Sequence, residues 1–120
     1  MSADTLIYKV LTAGQHAALL AAGAFVGAPV DLKDGYVHLS TAAQLRETLA
    51  RHFAGQADLR VLAVAVDALP AGALRWEPSR GGALFPHLYA PLPLAAVGTV
   101  WTVDVGADGR STLPEGFEGG

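Results

Sequence analysis

The order of patterned segments predicts an α+β fold, with a mixed, mainly antiparallel sheet and two N-terminal helices. Three observations carry the prediction. Thr12 with Gln15 and Thr41 with Gln44 are two capping-box pairs, and each opens a run that closes at a glycine, Gly23 or Gly55. Residues 59–66, Leu-Arg-Val-Leu-Ala-Val-Ala-Val, are apolar on nearly every position, as in a central strand covered on both sides. Residues 97–105 alternate, with Trp101, Val103 and Val105 on one face and Val100, Thr102 and Asp104 on the other.

In chain order, residues 6–11 are rich in β-branched and aromatic side chains and read as the first strand. The helix over 13–22 carries Leu19 and Leu20 toward the core, with His16 on its flank as a surface residue. Residues 24–33 contain Pro29, show no periodicity and read as a loop. Asp34-Gly35 favours a tight turn, since glycine tolerates positive φ and Asp bonds its own backbone. A short strand over 36–40 then turns Val37 and Leu39 to one side and Tyr36, His38 and Ser40 to the other. Ser40 and Thr41 are hydroxyl residues suited to capping the next helix, 42–54, whose stripe is Ala42, Leu45, Leu49 and Phe53. Glu47 and Arg51 stand at i, i+4 on that helix, while His52 shares a flank with Thr48.

Beyond 59–66, Pro70 helps to turn the chain, and 74–77 reads as a short strand stopped by Pro78 and a turn over 79–82. Three prolines make 83–94 an irregular, ordered loop with short extended pieces. After the final strand, Asp108-Gly109 turns into a tail. The whole chain, 1–120, is expected to be one domain with its core in about 6–105 and frayed ends at 1–4 and 110–120.

Composition narrows the function classes. Hydrophobic residues make up 52% of the chain, yet no apolar run approaches the ~18 residues of a membrane span. Met1-Ser2-Ala3-Asp4 does not begin a secretory signal, and the absence of cysteine excludes disulfides and thiol nucleophiles, so a cytoplasmic protein is expected. Eight basic against eleven acidic residues give a net charge of −3, which excludes an extended nucleic-acid surface but leaves room for a pocket that takes one phosphate or nucleotide. The four histidines, at 16, 38, 52 and 87, include no i, i+4 pair, and no metal site is expected. Phosphate-cradling, dinucleotide and nucleophile-elbow motifs are absent.

Two stretches carry candidate chemistry. His38, with Tyr36 and Ser40, is either the polar face of an ordinary strand or part of a ligand face. His87 and Tyr89 share a side of the proline-stiffened segment 84–93, with Phe85 and Leu88 turned to the core. Glu77, beside Trp76, is open to two roles. It can accept a hydrogen bond from a ribose or a histidine, or it can anchor the turn through Arg75 or Arg80. Arg51 is a surface ion pair or, less simply, a substrate contact.

Four ordered motifs resemble a known family: Ile7-Tyr8-Lys9, Gly35-Tyr36-Val37-His38-Leu39-Ser40-Thr41, Arg75-Trp76-Glu77, and Phe85-Pro86-His87-Leu88-Tyr89-Ala90-Pro91-Leu92-Pro93. Together they are similar to the bacterial domain-of-unknown-function family 952 over roughly residues 6–104, with Ala90 standing where the family commonly has glycine. The resemblance implies an ADP-ribosyltransferase-like fold, in which a His on an early strand contacts the NAD ribose. His38 matches that histidine, with Ser40 or Thr41 beside it, and His87 becomes a second site residue. Glu77 does not match the context of the catalytic Glu of the toxins. The function so implied is binding of NAD, ADP-ribose or another phosphorylated ribose, with transferase-like chemistry. Tyr36 or Tyr89 offers a stacking surface, and Arg51 and Glu77 are further ligand contacts. The alternative is a non-catalytic binding or interaction module. The first reading requires His38 and His87 within about 10 Å at one concave pocket.

Overall fold

A computed structural model describes residues 5–114. Eight strands and three α-helices follow in the order β1 (Leu6–Thr12), α1 (Ala13–Ala22), β2 (Ala24–Phe25), α2 (Pro29–Asp34), β3 (Val37–His38), α3 (Ala42–His52), β4 (Leu59–Ala65), β5 (Leu74–Ser79), β6 (Ala83–Leu88), β7 (Leu92–Pro93) and β8 (Val97–Val103). The α+β class holds. The sheet is not one mixed sheet, however. The described strands pair only antiparallel, in three sheets of order β1-β4-β8, β3-β6-β5 and β2-β7.

Both capping boxes form. Thr12 and Thr41 accept from the backbone N–H groups of Gln15 and Gln44, whose side chains accept in return from the capping backbones. β4 is covered on both faces, as its apolar run requires. Leu62 and Val64 join Ile7, Leu11 and Leu19 in one core, while Leu59, Val61 and Ala63 join Leu45, Leu49 and Val103 in the other. In α1 only Leu19 is buried; Leu20 is 55% exposed, because a ten-residue helix on one sheet face covers a single narrow stripe. In the last strand Val103 and Val105 are buried and Val100 and Thr102 are exposed, although the paired strand ends at Val103.

Four expectations are corrected. Residues 24–33 are not a loop. They hold β2 and α2, a third helix whose only buried side chain is Asp31 and which therefore shows no apolar period. Pro29, at the start of α2, occupies the position that needs no N–H. Pro78 does not stop β5, since β5 is an edge strand, where a missing donor costs little. Nor is 83–94 irregular, because β6 pairs along its whole length with β5 and, through Val37↔Leu88 and His38↔His87, with β3. Pro86 lacks an N–H, but its carbonyl accepts from Leu39 at 3.1 Å. Part of the expected frayed tail is ordered too. Leu113 is buried, and Val105 and Ser111 form an antiparallel bridge; residues 1–4 and 115–120 lie outside the described part.

One junction places the site. Tyr8 and Ser40 exchange backbone hydrogen bonds of 2.7 and 2.9 Å, which ties β1 of the first sheet to the chain leaving β3 of the second. At the other end of β3, Gly35 closes α2 with φ +88, a conformation that glycine adopts without strain. The two ties fix Tyr36 to Leu39 between α2 and β6.

Candidate functional site

The β3–β6 register makes His38 and His87 direct cross-strand partners. Their ring centroids are 5.6 Å apart, edge to face. Tyr36 stacks on His87 at 4.1 Å and lies 5.1 Å from Tyr89, so four aromatic rings form one cluster. Both histidines line a pocket of about 790 Å³, a size within the range of small-molecule sites. Lys9, Asp34, Ser40, Thr48, Arg51 and His52 contribute to the same wall.

Each imidazole is oriented by a carboxylate. On the His38 side, Asp31 is only 1% exposed, and four groups donate to it. These are Lys9 Nζ at 3.1 and 3.2 Å, Ala28 N at 2.7 Å, His38 N at 3.0 Å and His38 Nδ1 at 2.6 Å. Burial alone pushes the Asp31 carboxyl up. The hydrogen bond from the His38 ring, the Lys9 charge and the two backbone N–H groups outweigh it and hold Asp31 well below the usual carboxylate range. Burial pushes the Lys9 ammonium down, and Asp31 opposes that shift. Lys9 Nζ also donates to the His38 carbonyl at 2.9 Å and lies 5.9 Å from the Phe25 ring centre. The second ring nitrogen, His38 Nε2, is 2.9 Å from Asp34 Oδ2. An ionised carboxylate only accepts, so both contacts are hydrogen bonds when the imidazole carries both protons.

On the other side, His87 Nδ1 is 2.8 Å from Glu77 Oε1, and Tyr89 donates its hydroxyl to the same oxygen at 2.7 Å. The His87 and Tyr89 bonds hold the Glu77 carboxyl below its ordinary value. Glu77 in turn raises the Tyr89 phenol, while burial and the charges of Asp34 and Glu77 raise that of Tyr36. Both phenols are therefore proton donors near neutral pH. His87 is 3% exposed, and its Nε2 has no hydrogen-bond partner among the described residues. Ser111 Oγ is the one fully buried side-chain polar atom without a partner among those residues, so His87 Nε2 keeps some exposure, and His87 is one of the pocket residues. A carboxylate-held imidazole with one open nitrogen is equipped to accept or donate a proton.

The other expected site residues divide. Tyr36 and Tyr89 stand beside the histidines and line a second, shallower groove of about 260 Å³. Glu77 holds His87. Ser40 is buried, and its hydroxyl is 2.8 Å from that of Thr48, so it supports the pocket wall. Thr41 spends its hydroxyl on the cap of α3 and is not among the pocket residues. Arg51 lies at the pocket edge, paired with Glu47 at 2.7 Å. Lys9, Asp31 and Asp34 escaped the sequence reading. The signal was available for Lys9, which shares a strand face with Ile7 and Leu11 and so needed a buried counter-charge. Among the described residues no cluster of three His, Asp or Glu suits a metal ion, and no helix is long and apolar enough to cross a membrane.

A sequence family described as "Protein of unknown function (DUF952)" matches residues 10–100. The crystal structure of protein CC0527 from Caulobacter crescentus is similar, with 47% identity, a TM-score of 0.86, and 94% of this chain and 98% of that one covered. The solution structure of the same Caulobacter protein gives 50% identity and a TM-score of 0.75, covering 89% and 91% of the two chains. A search of the curated proteins finds no match.

Proposed function

The chain belongs to the DUF952 family, and from its own residues we propose that the two-histidine pocket binds a small phosphorylated ribose, such as ADP-ribose or NAD taken as a substrate, for transferase-like chemistry. One observation carries this reading: two imidazoles, each fixed by a carboxylate, meet at 5.6 Å on the wall of one pocket large enough for a nucleotide. His87 is the acid/base. Glu77 fixes its Nδ1 proton, and its open Nε2 takes the proton of an attacking hydroxyl. His38, held through Nδ1 by Asp31, would present Nε2 as a donor to a phosphate oxygen. No glycine lines the pocket among the described residues, so phosphates would meet side chains, Arg51 and His52 among them, rather than a glycine-rich backbone cradle. The likeness to ADP-ribosyltransferases belongs to this proposal and rests on the motifs around His38 and His87; transferase chemistry follows from it by analogy. A cysteine-free chain fits a cytoplasmic setting.

A second reading has its own support. Carboxylates take both nitrogens of His38, as they would in a purely structural pin, which fits a non-catalytic binding or interaction module on the same scaffold. Thermal unfolding with NAD, ADP-ribose and simple nucleotides tests whether the pocket takes such a ligand at all. A ligand at about a hundred times its Kd stabilises the native state by roughly 2.7 kcal/mol, a shift of several degrees for a domain of this size. The pocket reading expects such a shift from at least one of these compounds in the wild type and its loss in His87→Ala. If none shifts the wild type, the non-catalytic module is the better account.

A further inference from the structure

We propose that Asp34 is an internal stand-in for a ligand's anionic group: its carboxylate occupies the oxyanion position at His38 Nε2, and a phosphate takes that position by displacing it. The inference rests on the pocket being a ligand site and specifies which group of the ligand goes where.

The two carboxylates on His38 are not equivalent. Asp31 is 1% exposed and receives hydrogen bonds from β1, from the start of α2 and from β3. It cannot leave without stranding the Lys9 ammonium. Asp34 is 39% exposed, stands in the pocket wall, and has His38 Nε2 as its one hydrogen-bond partner among the described residues. It is the last residue of α2, directly before Gly35. Within α2, Asp31 alone is buried, whereas Pro29, Val30, Leu32, Lys33 and Asp34 are all exposed. The end of α2 is held by backbone caps from Gly35 and Tyr36 onto Asp31 rather than by Asp34, whose side chain is free of apolar packing. An exposed pair of this kind contributes little, so a side-chain rotation that breaks it costs little.

The position Asp34 vacates is chemically specific. Its Oδ2 lies 2.9 Å from Nε2, the distance at which any anionic oxygen accepts from an imidazolium. Asp31 stays on Nδ1 and keeps the ring turned so that Nε2 faces the position Asp34 leaves. Arg51 lines the same pocket, 57% exposed and held to Glu47 by an exposed ion pair, so its guanidinium can turn to the remaining oxygens of a phosphate. Until it is displaced, Asp34 also repels anions from the entrance.

Inorganic phosphate is the probe, titrated at fixed ionic strength into histidine-labelled protein and followed by the nitrogen resonances of His38. Asp34→Ala is expected to tighten phosphate binding roughly two- to fivefold, the scale of one exposed ion pair. Asp34→Asn is expected to give a smaller gain, because its amide oxygen still accepts from Nε2. Asp67→Asn removes an exposed carboxylate that does not line the pocket, and is expected to match the wild type. The proposal is overturned if neither Asp34 variant binds phosphate more tightly than Asp67→Asn, or if the gain leaves the His38 resonances unmoved. That result is independent of the nucleotide melting series. A wild type stabilised by ADP-ribose alongside unimproved Asp34 variants would remove the stand-in and keep the ligand site.

Discussion

Asp31→Ala is expected to destabilise the protein by about 3–5 kcal/mol, the cost of removing one partner from a buried ion pair. The residue sits on a short surface helix, yet its carboxylate is the meeting point of Lys9, Ala28 and His38. Its loss leaves Lys9, 6% exposed, as a buried ammonium with only the His38 carbonyl and the face of Phe25 for company among the described residues. Denaturant unfolding of Asp31→Ala and of Lys9→Met gives the comparison. Lys9→Met should cost less, because the carboxylate it leaves keeps two backbone donors and the His38 ring. The same carboxylate shapes the acid limb. Its pKa is depressed in the folded state, so the stability it contributes is fully present above the ordinary carboxylate value of 3.8. That contribution drains away as the pH falls below that value and through the lower folded one. The wild type should therefore lose stability more steeply in acid than Asp31→Ala, and the two unfolding curves should converge at low pH. Equal acid slopes would show that Asp31 is not the group responsible.

Leu88→Ala should cost about 2–5 kcal/mol, the range for emptying a well-packed core position. Leu88 is fully buried and belongs to the core that includes Leu62, Val64 and Val37, and it pairs across the strands with Val37. It is also the residue after His87 on β6, so the cavity opens directly behind the site. The nucleotide-induced thermal shift should shrink together with stability, because the His38–His87 spacing depends on the register that Val37 and Leu88 hold. Leu20→Ala is the control: Leu20 is 55% exposed, and its truncation should move stability by less than about 0.5 kcal/mol.

How much of this was legible in the sequence depended on whether an element was held by apolar burial or by charge. β4 announced itself because both its faces are core, and α1 and α3 because their caps are local chemistry between residues three apart. α2 did not. Its six residues bury one aspartate and expose Val30 and Leu32, the reverse of the pattern that marks a helix. β6 was hidden by Pro86, which is tolerated because its carbonyl still pairs and the strand's partners supply the remaining bonds. In the site, His38 and His87 were readable as polar residues on extended segments, although their adjacency was a matter of register. The carboxylates that orient them were harder to see. Asp31 and Glu77 lie seven and ten residues from their histidines, and only the folded path of α2 and the β5–β6 hairpin brings each pair together.

The central claim is that His38 and His87 act as one ligand site, and a titration with ADP-ribose read at the histidine ring protons tests it most directly. His16 provides an internal reference, since it does not line the pocket. The account predicts that the His38 and His87 resonances move together and saturate at a single Kd while His16 stays fixed. Resonances of His38 and His87 that remain still at saturating ligand, or that move no more than His16, would contradict it.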